Sequence, residues 1–477
     1  MKRWGLLGVL GFVTVAHIEA QEEPSSYLEL DGGADLRFRY EWRENMPGAY
    51  GQLGWNNADR LRLRTRVWGS ATANDYSIYT RLYNEVREYH YNSSGARNYQ
   101  HFPSWLVLDN IYLNMNNLLY DRMDARLGRQ DMTYGAGRVI ANGTPGETTR
   151  LAFNALKLTT RVTEATKADV FGTYMPSGRD FLAIGQQSTG YYSTSYRNSY
   201  GGSENDDGLR EWGVGTYWTV GEVDVLPMEF YLLYKDESRW YRDGADRTSH
   251  TRVPGRAYGT AGLRLMPQFT EKLGGEVEGA YQFGRTEAYA DSGADDQLMS
   301  AYMLFGGLTY TETEWAWRPY VKGAMLLLSG DSKEARHNRQ GGPAATSTGW
   351  NPVYGRHTYL GEIPASMYGG RRWTNLIWPH GEVGVSPFND RHAFRGQTGP
   401  MFAHRDDRTG APTNDDNRYR GWYTQLSYDY LIIRETINNR GNLKGRVMVE
   451  NMAYGDYYNG KTPSNGYFFR VELVAAF

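Results

Sequence analysis

Leu61-Arg62-Leu63-Arg64-Thr65-Arg66-Val67 decides the fold. In an extended strand, Leu61, Leu63, Thr65 and Val67 share one face and the three arginines share the other. The adjoining Asp35 to Trp42 repeats the pattern, with Leu36, Phe38, Tyr40 and Trp42 against Asp35, Arg37, Arg39 and Glu41. One such segment suits the solvent face of a soluble sheet as well as a membrane strand. Repetition separates the two. The same alternation recurs at Ile78–Arg87, Asp124–Leu127, Asn154–Thr160, Leu209–Trp218, Glu229–Lys235, Ala261–Leu265, Leu273–Phe283, Ala301–Tyr310, Tyr320–Leu328, Trp422–Tyr430, Leu443–Glu450 and Tyr467–Phe477. Weaker segments lie near Asn110–Met115, Ala168–Tyr174, Asn375–Val385 and His392–Phe402, which brings the total to about eighteen strands.

The connections alternate in length. Short links fall near Ala73, Leu118, Thr163, Gly221, Gln268 and Thr313. Long polar ones lie near Met46–Asn57, Tyr91–Pro103, Thr133–Arg150, Ser177–Asp207, Asp236–Arg256 and Asp331–Arg372. Tight turns at one end and long loops at the other are the habit of outer-membrane barrels. The expected fold is therefore all-β, a transmembrane antiparallel up-and-down barrel. A helical span needs about 20 consecutive apolar residues, and past residue 20 the longest apolar run is the short one around Met325–Leu328.

The N-terminus reads as a secretory signal over residues 1–20, with Lys2 and Arg3 before the apolar run Trp4–Val15 and with Ala20 before Gln21. Residues 21–33 are expected to be a short periplasmic segment and 34–477 a single barrel in the Gram-negative outer membrane. The last strand puts Tyr467, Phe469, Val471, Leu473 and Phe477 on one face, a pattern expected to be read by the barrel-insertion machinery. The sequence has no Cys, so there is neither disulfide stapling nor a Cys-linked lipid anchor. A formal charge of -2 argues against a nucleic-acid partner.

With the apolar faces toward lipid, the charged faces line the lumen. The basic set is Arg37, Arg39, Arg62, Arg64, Arg66, Arg81, Arg87, Arg126, Lys157, Arg264, Lys322, Arg446 and Arg470. Its acidic counterpart is Asp35, Glu41, Glu85, Asp124, Glu229, Glu276, Glu278, Asp429, Glu450 and Glu472. Guanidinium forks bind carboxylates in pairs of hydrogen bonds, so arginine rows suit an anionic solute. The same charges also suit cross-strand pairing that stiffens the wall. No nucleophile elbow and no metal-ligand spacing occurs, and no cofactor is expected; Glu276 and Glu278 are only a weak match to a hydrolase pair.

Arg126-Leu127-Gly128-Arg129-Gln130, Phe153-Asn154-Ala155-Leu156-Lys157-Leu158, Leu328-Ser329-Gly330-Asp331, Trp350 to Tyr354 and Trp373 to Leu376, in that order, resemble the alginate-export porin family. The resemblance implies a monomeric eighteen-stranded barrel with an electropositive constriction and passive passage of an anionic carbohydrate such as a polyuronate. It also implies a pore arginine at Arg129. Parity with Ala125 and Leu127 aims that residue at lipid, unless a bulge at Gly128 inverts it. Alternative readings are a general or small-anion porin and a structural or adhesive barrel. The connection Asp331–Arg372 is expected to fold into or over the mouth, with Lys333, Arg336, Arg339 and Arg356 extending the basic path.

Overall fold

The computed structural model describes residues 28–46, 56–92, 102–103, 106–141, 152–175, 182–185, 211–221, 225–237, 240–243, 250–253, 255–287, 296–331, 346–354, 361–367, 373–387, 391–405, 417–435, 441–458 and 463–477. The expected signal segment lies outside them.

Eighteen long strands form the wall. They are β1 (Leu28–Met46), β2 (Asn56–Ala73), β3 (Tyr76–Asn92), β4 (Leu106–Asn117), β5 (Met123–Gln130) and β6 (Phe153–Arg161). Next come β7 (Thr166–Met175), β8 (Glu211–Val220), β9 (Met228–Glu237), β10 (Arg256–Leu265), β11 (Leu273–Thr286) and β12 (Gln297–Thr311). The last six are β13 (Tyr320–Leu328), β14 (Leu376–Val385), β15 (His392–Phe402), β16 (Tyr419–Ile433), β17 (Asn442–Tyr454) and β18 (Asn465–Ala476). Each pairs antiparallel with its neighbours in the chain, and β1 pairs with β18 from Asp35↔Ala476 to Glu44↔Tyr467. Closure leaves no ladder edge for lipid to meet, which is the condition for a sheet to cross a membrane.

Each of the segments read from alternation overlaps one of these strands, and Leu209 and Arg210, at the start of one segment, lie outside the described residues. The first strand starts at Leu28, before the expected boundary at Ala34, so part of the segment assigned to a periplasmic lead-in belongs to the wall. The tight turns sit where expected; between β2 and β3 only Asn74 and Asp75 intervene, with Asn74 at φ 53, a left-handed conformation that Asn accepts readily.

Outward residues are apolar and exposed: Leu36, Phe38, Leu63, Val67, Val277, Leu304, Leu426 and Leu473. Trp42, Trp212, Trp315 and Trp422 are exposed too, as an interfacial girdle requires. The inward face is divided. On β1, β2, β3 and β18 it is charged and buried. On β12, β13 and β14 it is apolar over much of its length, with Met303, Phe305, Leu326, Leu328, Leu376 and Trp378 almost wholly inaccessible. This departs from the expectation of charge all around the lumen. What covers that apolar half is chain from the long connections: residues 131–141, 346–354 and 361–367 bring Met132, Val139, Ile140, Trp350, Val353, Tyr354 and Ile363 into one core with it.

Candidate functional site

The charged wall is built by register. Arg37↔Arg64 and Arg39↔Arg62 are directly opposed across β1 and β2, an arrangement that like charges alone would disrupt. Carboxylates placed between them reverse the sign. Glu85 on β3 meets Arg37 Nη2 at 2.9 Å and Arg62 Nε at 3.0 Å. Glu41 takes Arg62 at 3.1 Å and Arg470 at 2.9 Å, and also pairs with Arg60. Asp35 takes Arg64 and Arg66, and Glu472 takes Arg39. Among the described residues, eight arginines (Arg37, Arg39, Arg43, Arg60, Arg62, Arg64, Arg66 and Arg470) share five carboxylates (Asp35, Glu41, Glu85, Glu362 and Glu472). The patch is knitted together yet keeps a positive excess.

The opposite side is knitted by an inserted arginine. Arg138, from the connection after β5, reaches Glu276 and Glu278 on β11 at 2.6 and 2.5 Å and lies over the Phe305 ring. Glu276 also accepts from Arg264, which bridges to Glu229, and Tyr231 donates to Glu278. The two glutamates that resembled a hydrolase pair are thus the anchor of an inserted segment. Above Arg138, Tyr134 stacks on Phe171 and on Tyr217, with centroids 5.7 and 4.5 Å apart.

The other inserted segment, 346–354, is bound just as firmly. Gln282 donates to the Asn351 carbonyl at 2.7 Å and accepts from the Asn351 amide at 2.9 Å. Lys235, itself paired with Glu211 and Glu237, donates to the Val353 carbonyl at 3.0 Å. Tyr354 meets Thr173 across the barrel, and burial pushes its hydroxyl up to about 12. The two segments also touch each other, since Tyr354 N donates to the Val139 carbonyl and Ala141 N to the Tyr354 carbonyl. The expected inward fold of Asp331–Arg372 is therefore present in its described parts. Lys333, Arg336, Arg339 and Arg356 lie outside the described residues, and it is acidic Glu362 that meets the wall. Burial opposes its charge, but Arg470 foremost and then Arg43 hold its carboxyl down to about 2.

The remaining sequence candidates are placed as follows. Arg81 is held by Asp109, Asn110 and Asp131, Lys157 lies 3.8 Å from Asp169, and Arg446 pairs with Asp429. Asp124 accepts from Arg161 near a turn, and Glu450 accepts from the amides of Glu362 and Ile363. Arg126 is bonded to Asn114 and lies 4.4 Å from the Tyr112 ring; Lys322 lies 5.3 Å from Phe305. Neither of these two cations has a carboxylate partner among the described residues. Arg129 is different. Register runs unbroken through Gly128 on both sides, so the bulge that would turn Arg129 inward is absent. It is buried against the Asp109 carbonyl and Asn154 instead. Tyr467 and Phe477 are exposed on the lipid side.

Sequence reading missed Arg43 and Arg60, which continue the parity of their rows and were legible there. Lys235, missed as well, stands two residues from its partner Glu237 on the same strand and was legible in the same way. Arg138 and Glu362 were missed for another reason: their partners lie far along the chain, where local periodicity carries no information.

No family model matches the chain, and no curated protein matches it. The resemblance to alginate exporters gains nothing from either comparison. Solved structures do match. The crystal structure of Pseudomonas aeruginosa OccK9 (OpdG) is 10% identical, covers 94% of this chain and 98% of its own, and has a TM-score of 0.53. For Acinetobacter baumannii OccAB1 the values are 11%, 94%, 96% and 0.53. For Pseudomonas aeruginosa OpdK, solved with vanillate, they are 10%, 94%, 98% and 0.52. Identity this low speaks for the fold, and the fold is the closed eighteen-stranded antiparallel barrel in which the OprD and Occ porins span the Gram-negative outer membrane.

Proposed function

We propose that the chain is an outer-membrane diffusion channel for small organic anions bearing a carboxylate. The observation that carries this reading is the charged wall, where arginines outnumber the carboxylates that tie them. In a narrow, partly desolvated lumen such an excess favours anions and fixes their orientation. Arg126 and Lys322 add cations that form no ion pair among the described residues, although Lys322 stands opposite Glu382 in register.

A polymer route, expected from the alginate-export resemblance, is less compatible with the interior. Segments 131–141 and 346–354 are anchored across the lumen on the far wall, and both would have to leave for a wide passage. A small solute needs no such rearrangement. The vanillate bound to OpdK, a fold neighbour, is an aromatic carboxylate of that size class.

Reversal potentials in a potassium chloride gradient across planar bilayers test the reading, together with liposome influx of benzoate, an oligouronate and a small amine. Anion-selective current and benzoate influx without oligouronate influx are expected. Cation selectivity would overturn it, and brisk oligouronate influx would restore the polymer route.

A further inference from the structure

Among the described residues of the charged patch, Glu362 is the one that does not come from the wall. It sits at the start of a short helix, Glu362–Met367, inside the barrel, and its carboxylate lies against Arg470 on one side and 3.5 Å from Arg43 Nη2 on the other. Both guanidiniums also face the buried Phe468 ring, at 5.6 Å for Arg43 and 5.1 Å for Arg470. The Nε atoms of Arg43 and Arg470 are buried and have no hydrogen-bond partner among the described residues. Two cations and an aromatic face thus meet the carboxylate of an inserted segment, while Glu41 of the wall touches both cations from the other side, at 3.5 Å for Arg43 and 2.9 Å for Arg470. The helix is held by a separate contact: the Glu362 and Ile363 amides donate to Glu450, which also accepts from Gln425. The Glu362 side chain can therefore leave without undocking its backbone.

We propose that Arg43, Arg470 and Phe468 form a binding site for the carboxylate of a permeating organic anion, and that Glu362 fills this site as an internal stand-in until a solute displaces it. This rests on the reading of the chain as an anion channel and adds a location and a competitor to it. The competitor has the same chemistry as the ligand, so the exchange conserves charge at the site and costs neither guanidinium its partner. Tethering gives Glu362 an effective concentration on the order of millimolar, so displacement calls for solute in that range. The ring between the cations favours a carboxylate carried on an aromatic body over acetate.

The test is block of single-channel chloride current by benzoate, with acetate as the comparison probe. Glu362→Gln removes the competing charge and is expected to lower the half-blocking benzoate concentration about tenfold, the equivalent of about 1.4 kcal/mol. Phe468→Leu keeps both arginines and is expected to raise that concentration several-fold for benzoate while leaving acetate unchanged. Unchanged benzoate block in Glu362→Gln overturns the proposal. If that variant does not assemble, equal effects on benzoate and acetate in Phe468→Leu overturn it in its place. The wild-type reversal potential separates the two levels: anion selectivity with unaltered block sinks this site alone, whereas cation selectivity sinks the channel reading beneath it.

Discussion

Arg138 and Glu278, 140 residues apart in the chain, are joined by a 2.5 Å contact between Nη1 and Oε2 that spans from the connection after β5 to the middle of β11. Both side chains are buried, and Glu276 shares the same nitrogen. Replacing Arg138 by Ala takes the cation from Glu278 and leaves Glu276 with Arg264 alone, and breaking a buried pair from one side costs about 3 to 5 kcal/mol. The variant is expected to show larger and noisier single-channel conductance, because residues 131–141 lose their hold on the far wall. Conductance equal to wild type would mean that the segment does not narrow the pore.

The arginines divide into two kinds. Arg62 bridges Glu41 and Glu85 in a buried network, so Arg62→Ala is expected to lower the melting temperature, again at about 3 to 5 kcal/mol. Arg126 and Lys322 hold no carboxylate among the described residues; Arg126→Ala and Lys322→Ala are expected to cost only about 1 kcal/mol each and to move the reversal potential toward cations. Thermal melting in detergent combined with reversal potentials checks both halves. A destabilised Arg126→Ala with unchanged selectivity would assign that residue to the scaffold.

His404, just past β15, accepts from the Gly330 amide through Nδ1 at 3.2 Å and meets the Tyr302 hydroxyl through Nε2 at 3.0 Å. Burial first, then Arg405 and Arg418, lower its pKa below the ordinary 6.5. A base with a depressed folded pKa contributes stability that is complete above its unfolded value and fades as pH falls through the folded one. Wild-type melting temperature is therefore expected to decline as pH drops below about 6.5, the unfolded histidine value. His404→Asn, which retains an acceptor that does not titrate in this range, is expected to flatten that part of the curve. Identical pH profiles for the two proteins would remove His404 from the explanation.

Leu63 lies midway along β2 on the lipid face, between the inward Arg62 and Arg64. A charge there near the membrane midplane costs about 2 to 4 kcal/mol. Leu63→Arg is expected to reduce folding yield into lipid vesicles, read by the heat-dependent shift in gel mobility of folded barrels. Full yield would place Leu63 away from the hydrocarbon.

Strand number and direction were legible because alternation is a local property: Leu61 to Val67 states its two faces within seven residues. Even the weaker segments, such as His392–Phe402, became strands of the ring. The interior was less legible. Met325-Leu326-Leu327-Leu328 carries no alternation because Leu326 and Leu328 turn inward under the inserted segments while Met325 turns to lipid, so both faces are apolar. A period-two reading assigns such a strand but cannot say that its inner face is covered. The arginine rows were found, but their carboxylate partners lie on other strands, and only register brings Glu85 or Glu472 to them.

The inserted segments give the barrel a second core, and this has a consequence for the order of assembly. Residues 131–141 precede β6 in the chain, yet the surfaces that receive them belong to β8, β11 and β12. A hairpin-by-hairpin assembly that starts from the N-terminal end reaches a stage at which Met132, Val139 and Ile140 have no surface to lie on. Contacts of such long sequence separation form late, after the closure entropy of the intervening chain has been met. The ring and its filling must therefore be completed together, and a chain that closes its wall before the segments are inside is left with an apolar half-lumen open to water.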